Sequence, residues 1–327
     1  MIINIIIIGL IILCIIFPKS KIVSLLVFLF MWQLWGWNTW NGDYDGYKAI
    51  YETFGRFGIK DTNFEIGFGL LNKFFFDIGL SFQSYMIVFS FFVLSLIYLF
   101  VKKSPYPAIL SVLYFVIFIM EYVFMRNYLA NSLLLLFLIV AFNNGKYKII
   151  TSLVLLILAF LFHTTAIVYF SFLLIYIPNL KLKKLFYLII TIVIFLFTSF
   201  TFFISYIDND ILTYKIDYYF GQTNPIGPAI THLLIVVLLL LVLFQSKNYY
   251  NCLSEKTKNN IEILQKMNVI SLIYIPLYFF LPDFSRFFRV LFTVDLFFIL
   301  YLLYYYKKNT YKLALINVLM VIYSLII

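Results

Sequence analysis

Residues 185–204 read LFYLIITIVIFLFTSFTFFI, twenty positions without a single charge. A hydrocarbon core about 30 Å thick is crossed by about 20 residues of α-helix. In lipid every backbone amide must find its partner inside the protein, so a continuous run of this kind folds as a helix. A membrane barrel would show short alternating segments instead. Apolar runs recur along all 327 residues, and only 12% of the chain is charged, against about 25% in ordinary soluble domains. With a mean hydropathy of +1.02, no soluble fold of this size could hide the apolar surface.

Spanning helices are expected at about 2–18, 22–38, 84–101, 105–122, 127–143, 147–162, 164–178, 184–206, 229–246, 266–281, 289–306 and 313–327, from hydropathy and length. Phe64–Asp77 is too short and too interrupted to span, with Asn72, Lys73 and Asp77 inside it. Its Phe68, Leu71, Phe74 and Phe75 fall at helical spacing, which predicts an amphipathic helix lying in the outer interface. The expected fold is therefore all-α: a polytopic integral membrane protein of about 12 transmembrane helices plus that interfacial helix. No internal repeat, soluble domain or low-complexity linker interrupts the sequence. It reads as one transmembrane domain over 1–327, with outer loops at about 39–83 and 207–228 and a cytoplasmic loop at about 246–265. The first run, Ile2 to Phe17, lacks a basic start and a small-residue cleavage site, so it is read as a retained helix.

The net charge of +10 would suggest nucleic acid in a soluble protein. Here it reports topology, and no nucleic-acid partner is expected. Sixteen lysines and no arginine collect on one side: Lys19, Lys21, Lys102, Lys103, Lys146, Lys148, Lys181, Lys183, Lys184, Lys247, Lys256, Lys258, Lys266, Lys307, Lys308 and Lys312. The other side holds all four arginines and 11 of the 14 acids. The lysine side is cytoplasmic by the positive-inside rule, which places both termini outside. Cys14 and Cys252 cannot meet in this topology, so no disulfide is implied.

The chain's preference for lysine makes each arginine informative. A guanidinium grips phosphate with a planar fork, where an ammonium offers a point charge. Arg286 and Arg289 are three apart and share a helical face at the mouth of a span. Arg126 opens another outer helix end, and Arg56 lies in the first outer loop. Snorkelling to lipid headgroups is the plain alternative; three arginines near one membrane face point to phosphate or diphosphate binding. The first outer loop, NGDYDGYKAIYETFGRFG, mixes Asp43, Asp45 and Glu52 with Tyr44, Tyr47 and Tyr51. Acids accept hydroxyl hydrogen bonds and rings cover apolar sugar faces, so this pattern suits a glycan. Asp43-Tyr44-Asp45 and Asp208-Asn209-Asp210 are also Asp-x-Asp tripeptides that could hold a divalent cation, but such tripeptides are common by chance and a solvated loop is the simpler reading. Tyrosines at an interface are in any case expected as an aromatic belt.

Glu65 stands where the outer loop meets the amphipathic helix. Desolvation there would raise its pKa and suit it to general base work; the alternative is an acid favoured by a helix dipole. His163 lies at the tip between two short apolar segments, either bonded to Thr164 or Thr165 in the packing, or functional as intramembrane ionisable groups tend to be. His232 is a weaker signal, and Asp295 sits in mid-span, expected protonated or bonded to a neighbouring helix. The sequence has no phosphate-binding Gly loop, clustered metal ligands or nucleophile elbow, so no metal and no cofactor are expected.

These residues resemble the EpsG family, the Wzy-like polymerases of bacterial surface polysaccharides. Asp43, Tyr44, Tyr47 and Tyr51 match the family's early outer-loop pattern. Glu65-Ile66-Gly67-Phe68 is similar to its Glu-Pro-Gly-Phe, with Ile66 in place of Pro. Arg126-Asn127-Tyr128-Leu129-Ala130 is similar to its Arg-Gln-x-x-Ala, with Asn127 in place of Gln. His163-Thr164-Thr165 matches its lone histidine with small hydroxyl residues, and Arg286 or Arg289 its late arginine. The resemblance implies a polymerase of O-antigen, capsule or exopolysaccharide that moves a growing glycan from undecaprenyl diphosphate onto a lipid-linked repeat unit. The reaction would run at the outer leaflet of the bacterial inner membrane, the active site facing the periplasm or exterior. Its partners would be undecaprenyl-diphosphate-linked oligosaccharide donor and acceptor, membrane lipids and a chain-length regulator protein. In that scheme Arg126, Arg286, Arg289 and Arg56 bind diphosphate, and Tyr44, Asp45, Tyr47 and Tyr51 bind glycan. Glu65, Asp43 and His163 compete for the role of base. A GT-C-like glycosyltransferase using a polyprenyl monophosphate sugar and a metal at Asp43 and Asp45, and a lipid-linked oligosaccharide flippase, are the alternatives. A flippase would tend to show internal repeats.

Overall fold

The computed structural model describes residues 2–58, 64–118, 124–143, 145–204, 226–245, 253–279 and 285–305. Every regular element in them is helical: α1 (Ile2–Ile16), α2 (Lys21–Gly36), α3 (Tyr44–Phe57), α4 (Ile66–Asp77), α5 (Phe82–Val101), α6 (Pro107–Ile117), α7 (Met125–Ala141) and α8 (Lys148–Phe162). A 3₁₀ helix follows over Thr164–Tyr176, then α9 (Leu182–Ile204), α10 (Ile226–Gln245), α11 (Glu255–Ser271), α12 (Tyr274–Tyr278) and α13 (Ser285–Tyr305). Two compact units divide the chain, Met1–Ile167 with Ile299–Lys308, and Val168–Phe298 with Asn309–Ile327.

In the first unit α7 packs along α8, α2 lies against α5 and α6, and α5 also touches α7. Small polar side chains close these seams. Ser24 and Ser111 share a hydrogen bond at 2.6 Å between α2 and α6, and Ser111 donates to the Pro107 carbonyl. The α2–α5 crossing is pinned by Trp32 Nε1, which donates to the Ile87 carbonyl at 2.9 Å, and Trp35 packs edge-on against Tyr128 of α7. Large apolar residues meanwhile face outward, Ile15 at 68% and Phe195 at 61% exposure. Apolar outside with hydrogen-bonded small residues inside is the pattern of helices packed in lipid. Among the described residues, Phe82–Val101 and Leu182–Ser199 are each long and apolar enough to cross a bilayer alone, and the other apolar helices run 10–17 residues.

Several expectations change. The loop expected at 39–83 is largely helical. α4 matches the anticipated amphipathic segment, and α3, anticipated only as a helical face for Tyr47 and Tyr51, packs on it. Gly55 makes that contact possible, since a Cβ there would run into the Phe76 ring. The helix expected to start at 266 starts at Glu255 instead, with Ser254 accepting the Thr257 N–H as N-cap. Glu262 then pairs with Lys266 at i,i+4, which carries the helix through a polar stretch. The segment expected as a spanning α-helix at 164–178 is a 3₁₀ helix. At a rise of about 2.0 Å per residue, its 13 residues reach roughly 26 Å, where an α-helix would reach roughly 20 Å. The expected span 313–327, most of the outer loop 207–228 and the Asp208–Asp210 tripeptide lie outside the described residues.

In the second unit α9 packs on α11 and α12, and α10 on the same two helices. α13 opens with Arg286 and Arg289.

Candidate functional site

The site forms where four pieces of the first unit end. α8 stops at Phe162, because His163 turns to an extended conformation (φ −153°, ψ 109°). The 3₁₀ helix then restarts at Thr164 with an N–H that no earlier turn can accept. α4 begins at Ile66, and its preceding residue Glu65 is extended (φ −65°, ψ 134°) with no bond from its side chain to its own helix. That frees the carboxylate to reach outward. Gly67 sets the reach, because a Cβ there would stand 2.7 Å from the Leu161 carbonyl oxygen. Only glycine lets α4 press on the last turn of α8.

The Glu65 carboxylate gathers the ends. Its Oε1 accepts from the Thr164 N–H at 3.1 Å and the Thr164 hydroxyl at 3.0 Å, with His163 Nδ1 at 3.2 Å. Its Oε2 accepts from Arg126 Nη1 of α7 at 2.7 Å. Glu65 thus acts as an N-cap for a helix that begins 99 residues later. Burial alone would push the carboxyl up. The His163 hydrogen bond and the charge and hydrogen bond of Arg126 outweigh it and hold Glu65 far below the usual carboxylate range. This corrects the expectation that desolvation raises its pKa. An ionised carboxylate has no proton to give, so His163 Nδ1 carries the hydrogen of their bond. In the neutral imidazole the lone pair is then on Nε2.

Arg126 is held on three sides. Beyond Glu65 it hydrogen-bonds Tyr47 of α3, and its guanidinium lies 5.3 Å from the Phe64 ring centroid, within cation–π range. Burial raises the Tyr47 phenol above its ordinary value, with Arg126 pulling the other way. The Tyr47 ring also meets Phe68 edge-on. Exposure falls from Arg126 at 28% to His163 at 19% and Glu65 at 9%, so the cluster opens through its arginine and histidine while the carboxylate lies beneath.

The structure brings Glu65, Arg126, His163 and Tyr47 together and leaves other expected residues elsewhere. Asp43 and Asp45 are exposed at the start of α3, Asp43 close enough to act on the Tyr47 phenol. Tyr44 donates to Gln83 Oε1 at 3.0 Å. Tyr51 is buried, stacks on Tyr85 and donates to the Leu80 carbonyl at 2.7 Å. Its ring packs on α5 and its hydroxyl bonds the turn before that helix. Arg56 pairs with Glu52 on the exposed face of α3 at 3.6 Å. The side chains of Arg286 and Arg289 lie outside the described residues. From the sequence Thr164 was expected only as a partner of His163 and Gly67 only as part of a motif, not as the residues that seat Glu65. Their signals, a hydroxyl after a lone histidine and a glycine two after an acid, gain meaning only once α4 is seen to cross α8. No group of three or more His, Cys, Asp or Glu side chains converges among the described residues.

The model of the EpsG family matches residues 21–327 of this chain. No curated protein and no solved structure gives a significant match.

Proposed function

The chain belongs to the EpsG family, and from that premise we propose that it is a polymerase of bacterial surface polysaccharide. It moves a growing glycan from undecaprenyl diphosphate to the hydroxyl of a lipid-linked repeat unit, at the outer leaflet of the inner membrane. Membership supports a helical membrane protein of polysaccharide biosynthesis with polymerase-like activity. The finer reading rests on the Glu65–His163–Arg126 cluster.

In the proposed reaction His163 is the base. Its Nδ1–H is held by Glu65, and Nε2 takes the acceptor hydroxyl proton as the oxygen attacks the donor's anomeric carbon. The bond from that carbon to the diphosphate oxygen breaks, and the electron pair leaves with undecaprenyl diphosphate. Glu65, ionised and bonded to four donor groups, is a positioning residue. Arg126 has more N–H donors than Glu65 and Tyr47 consume and offers them to phosphate oxygens as charge develops. Arg286 and Arg289 are proposed as phosphate ligands from the family resemblance alone, and Tyr44, Asp45 and Tyr47 as glycan contacts. Asp43, exposed and near Tyr47, is the weaker base.

The observation that carries this reading is the four-donor Glu65 carboxylate holding a histidine and an arginine together. Deleting the gene and running the cell's polysaccharide on a gel tests it. Loss of the ladder with a single repeat unit retained is expected. An intact ladder, or lipid-linked units that accumulate unexposed as a flippase defect would leave them, overturns it.

A further inference from the structure

The second unit carries a polar cluster that the transfer chemistry does not use. Asn268 of α11 and Asp295 of α13 are fully buried, at 0% and 1% exposure. Asn268 Nδ2 donates to Asp295 Oδ1 at 2.8 Å and to the Leu264 carbonyl at 3.0 Å, which uses both amide hydrogens. Two acceptors are left over on the same pair. Among the described residues, Asn268 Oδ1 and Asp295 Oδ2 are both buried without a hydrogen-bond partner. An ionised carboxylate does nothing for them, because two acceptors cannot bond each other. A buried carboxylate also needs a cation or several donors, and among the described residues Lys266 and His232 are otherwise engaged. Lys266, two residues from Asn268, is paired with Glu262 at 2.8 Å. His232 of α10 meets Tyr278 through Nδ1 at 2.7 Å and Ser271 through Nε2 at 2.8 Å.

One proton satisfies both leftover atoms. We propose that Asp295 is held as the neutral acid with its Oδ2–H donated to Asn268 Oδ1, forming a cyclic acid–amide pair that binds one proton and ties α11 to α13. The two side chains then present a matched donor and acceptor each, as two amides do. The pair adds no charge to the interior of an apolar bundle, where ionisable groups are otherwise costly.

The test is isotope-edited infrared spectroscopy of the full chain in membranes at neutral pH, with the aspartate carboxyl carbons labelled. The expected result is a label-shifted carbonyl band of an un-ionised acid, absent from Asp295→Asn. Thermal melting gives the second measurement. Asp295→Asn restores a donor at the same position and is expected to melt within about 3 °C of the wild type. Asn268→Leu removes the partner and is expected to fall by more than twice that. A labelled wild-type spectrum with carboxylate bands alone overturns the proposal, whether or not Asp295→Asn folds. So does an Asp295→Asn variant that melts as low as Asn268→Leu.

Discussion

Replacing Gly67 with alanine perturbs the site without touching a polar atom in it. The new Cβ would stand 2.7 Å from the Leu161 carbonyl oxygen and 2.9 Å from its carbon, where ordinary contact begins at 3.4 Å. Both atoms are backbone and cannot rotate away, so α4 must retreat from α8 by about 0.7 Å to reach van der Waals distance. Glu65, two residues earlier, moves with it. The His163 Nδ1 contact is 3.2 Å now, near the long end of a hydrogen bond, and would open to about 3.9 Å, beyond the range of one. Overpacking of this size costs about 1–3 kcal/mol of stability. Misplacing a reacting group by about 1 Å costs on the order of 10²-fold in rate. The expected outcome is a protein that still inserts and accumulates but extends glycan on the order of 10²-fold more slowly. The assay is the initial rate of chain extension from lipid-linked repeat units in proteoliposomes, normalised to protein amount. Extension within about twofold of wild type, at equal protein, would refute the coupling of Gly67 through Glu65 to His163.

Two further outcomes follow from the same geometry. Tyr51→Phe removes the hydroxyl that donates to Leu80 and is expected to cost about 1 kcal/mol of stability with extension unchanged; a raised KM for the repeat unit at unaltered Tm would return Tyr51 to the glycan. Glu65 has a depressed pKa in the folded chain, so its stabilisation is fully present above the unfolded carboxylate value of about 4.3 and is lost as pH falls below that. The gap in Tm between wild type and Glu65→Gln is therefore expected to narrow from pH 6 to pH 3, and a gap that widens on acidification contradicts the ion pair.

The helical membrane class was legible because it rests on composition and run length, which need no tertiary information. Helix α4 was legible for the same reason, from Phe68, Leu71 and Phe74 at helical spacing. The start of α11 at Glu255 was not. Lys256, Lys258, Asn259 and Asn260 look like loop, and the helix there depends on the Ser254 cap and the pairing of Glu262 with Lys266. At the site, Glu65, Arg126 and His163 stood out as ionisable residues in apolar surroundings. Their bonding to one another did not, and it reverses the expected chemistry of Glu65. Desolvation was foreseeable from its position at an interface. The two residues that outweigh it, Arg126 of α7 and His163 after α8, are 61 and 98 residues away in sequence. Tyr47 and Tyr51 show the same limit, since four-residue spacing puts both on the inner face of α3 but does not tell that one meets Arg126 and the other Leu80.

A double-mutant cycle of Glu65→Gln and His163→Ala, read as single-turnover glycan extension, bears most directly on whether Glu65 works through His163. If it does, Glu65→Gln costs far less in the His163→Ala background than in the native chain, leaving a coupling energy of about 1–3 kcal/mol. Losses that simply multiply would mean that the two residues act independently, and that His163 is not a base oriented by Glu65.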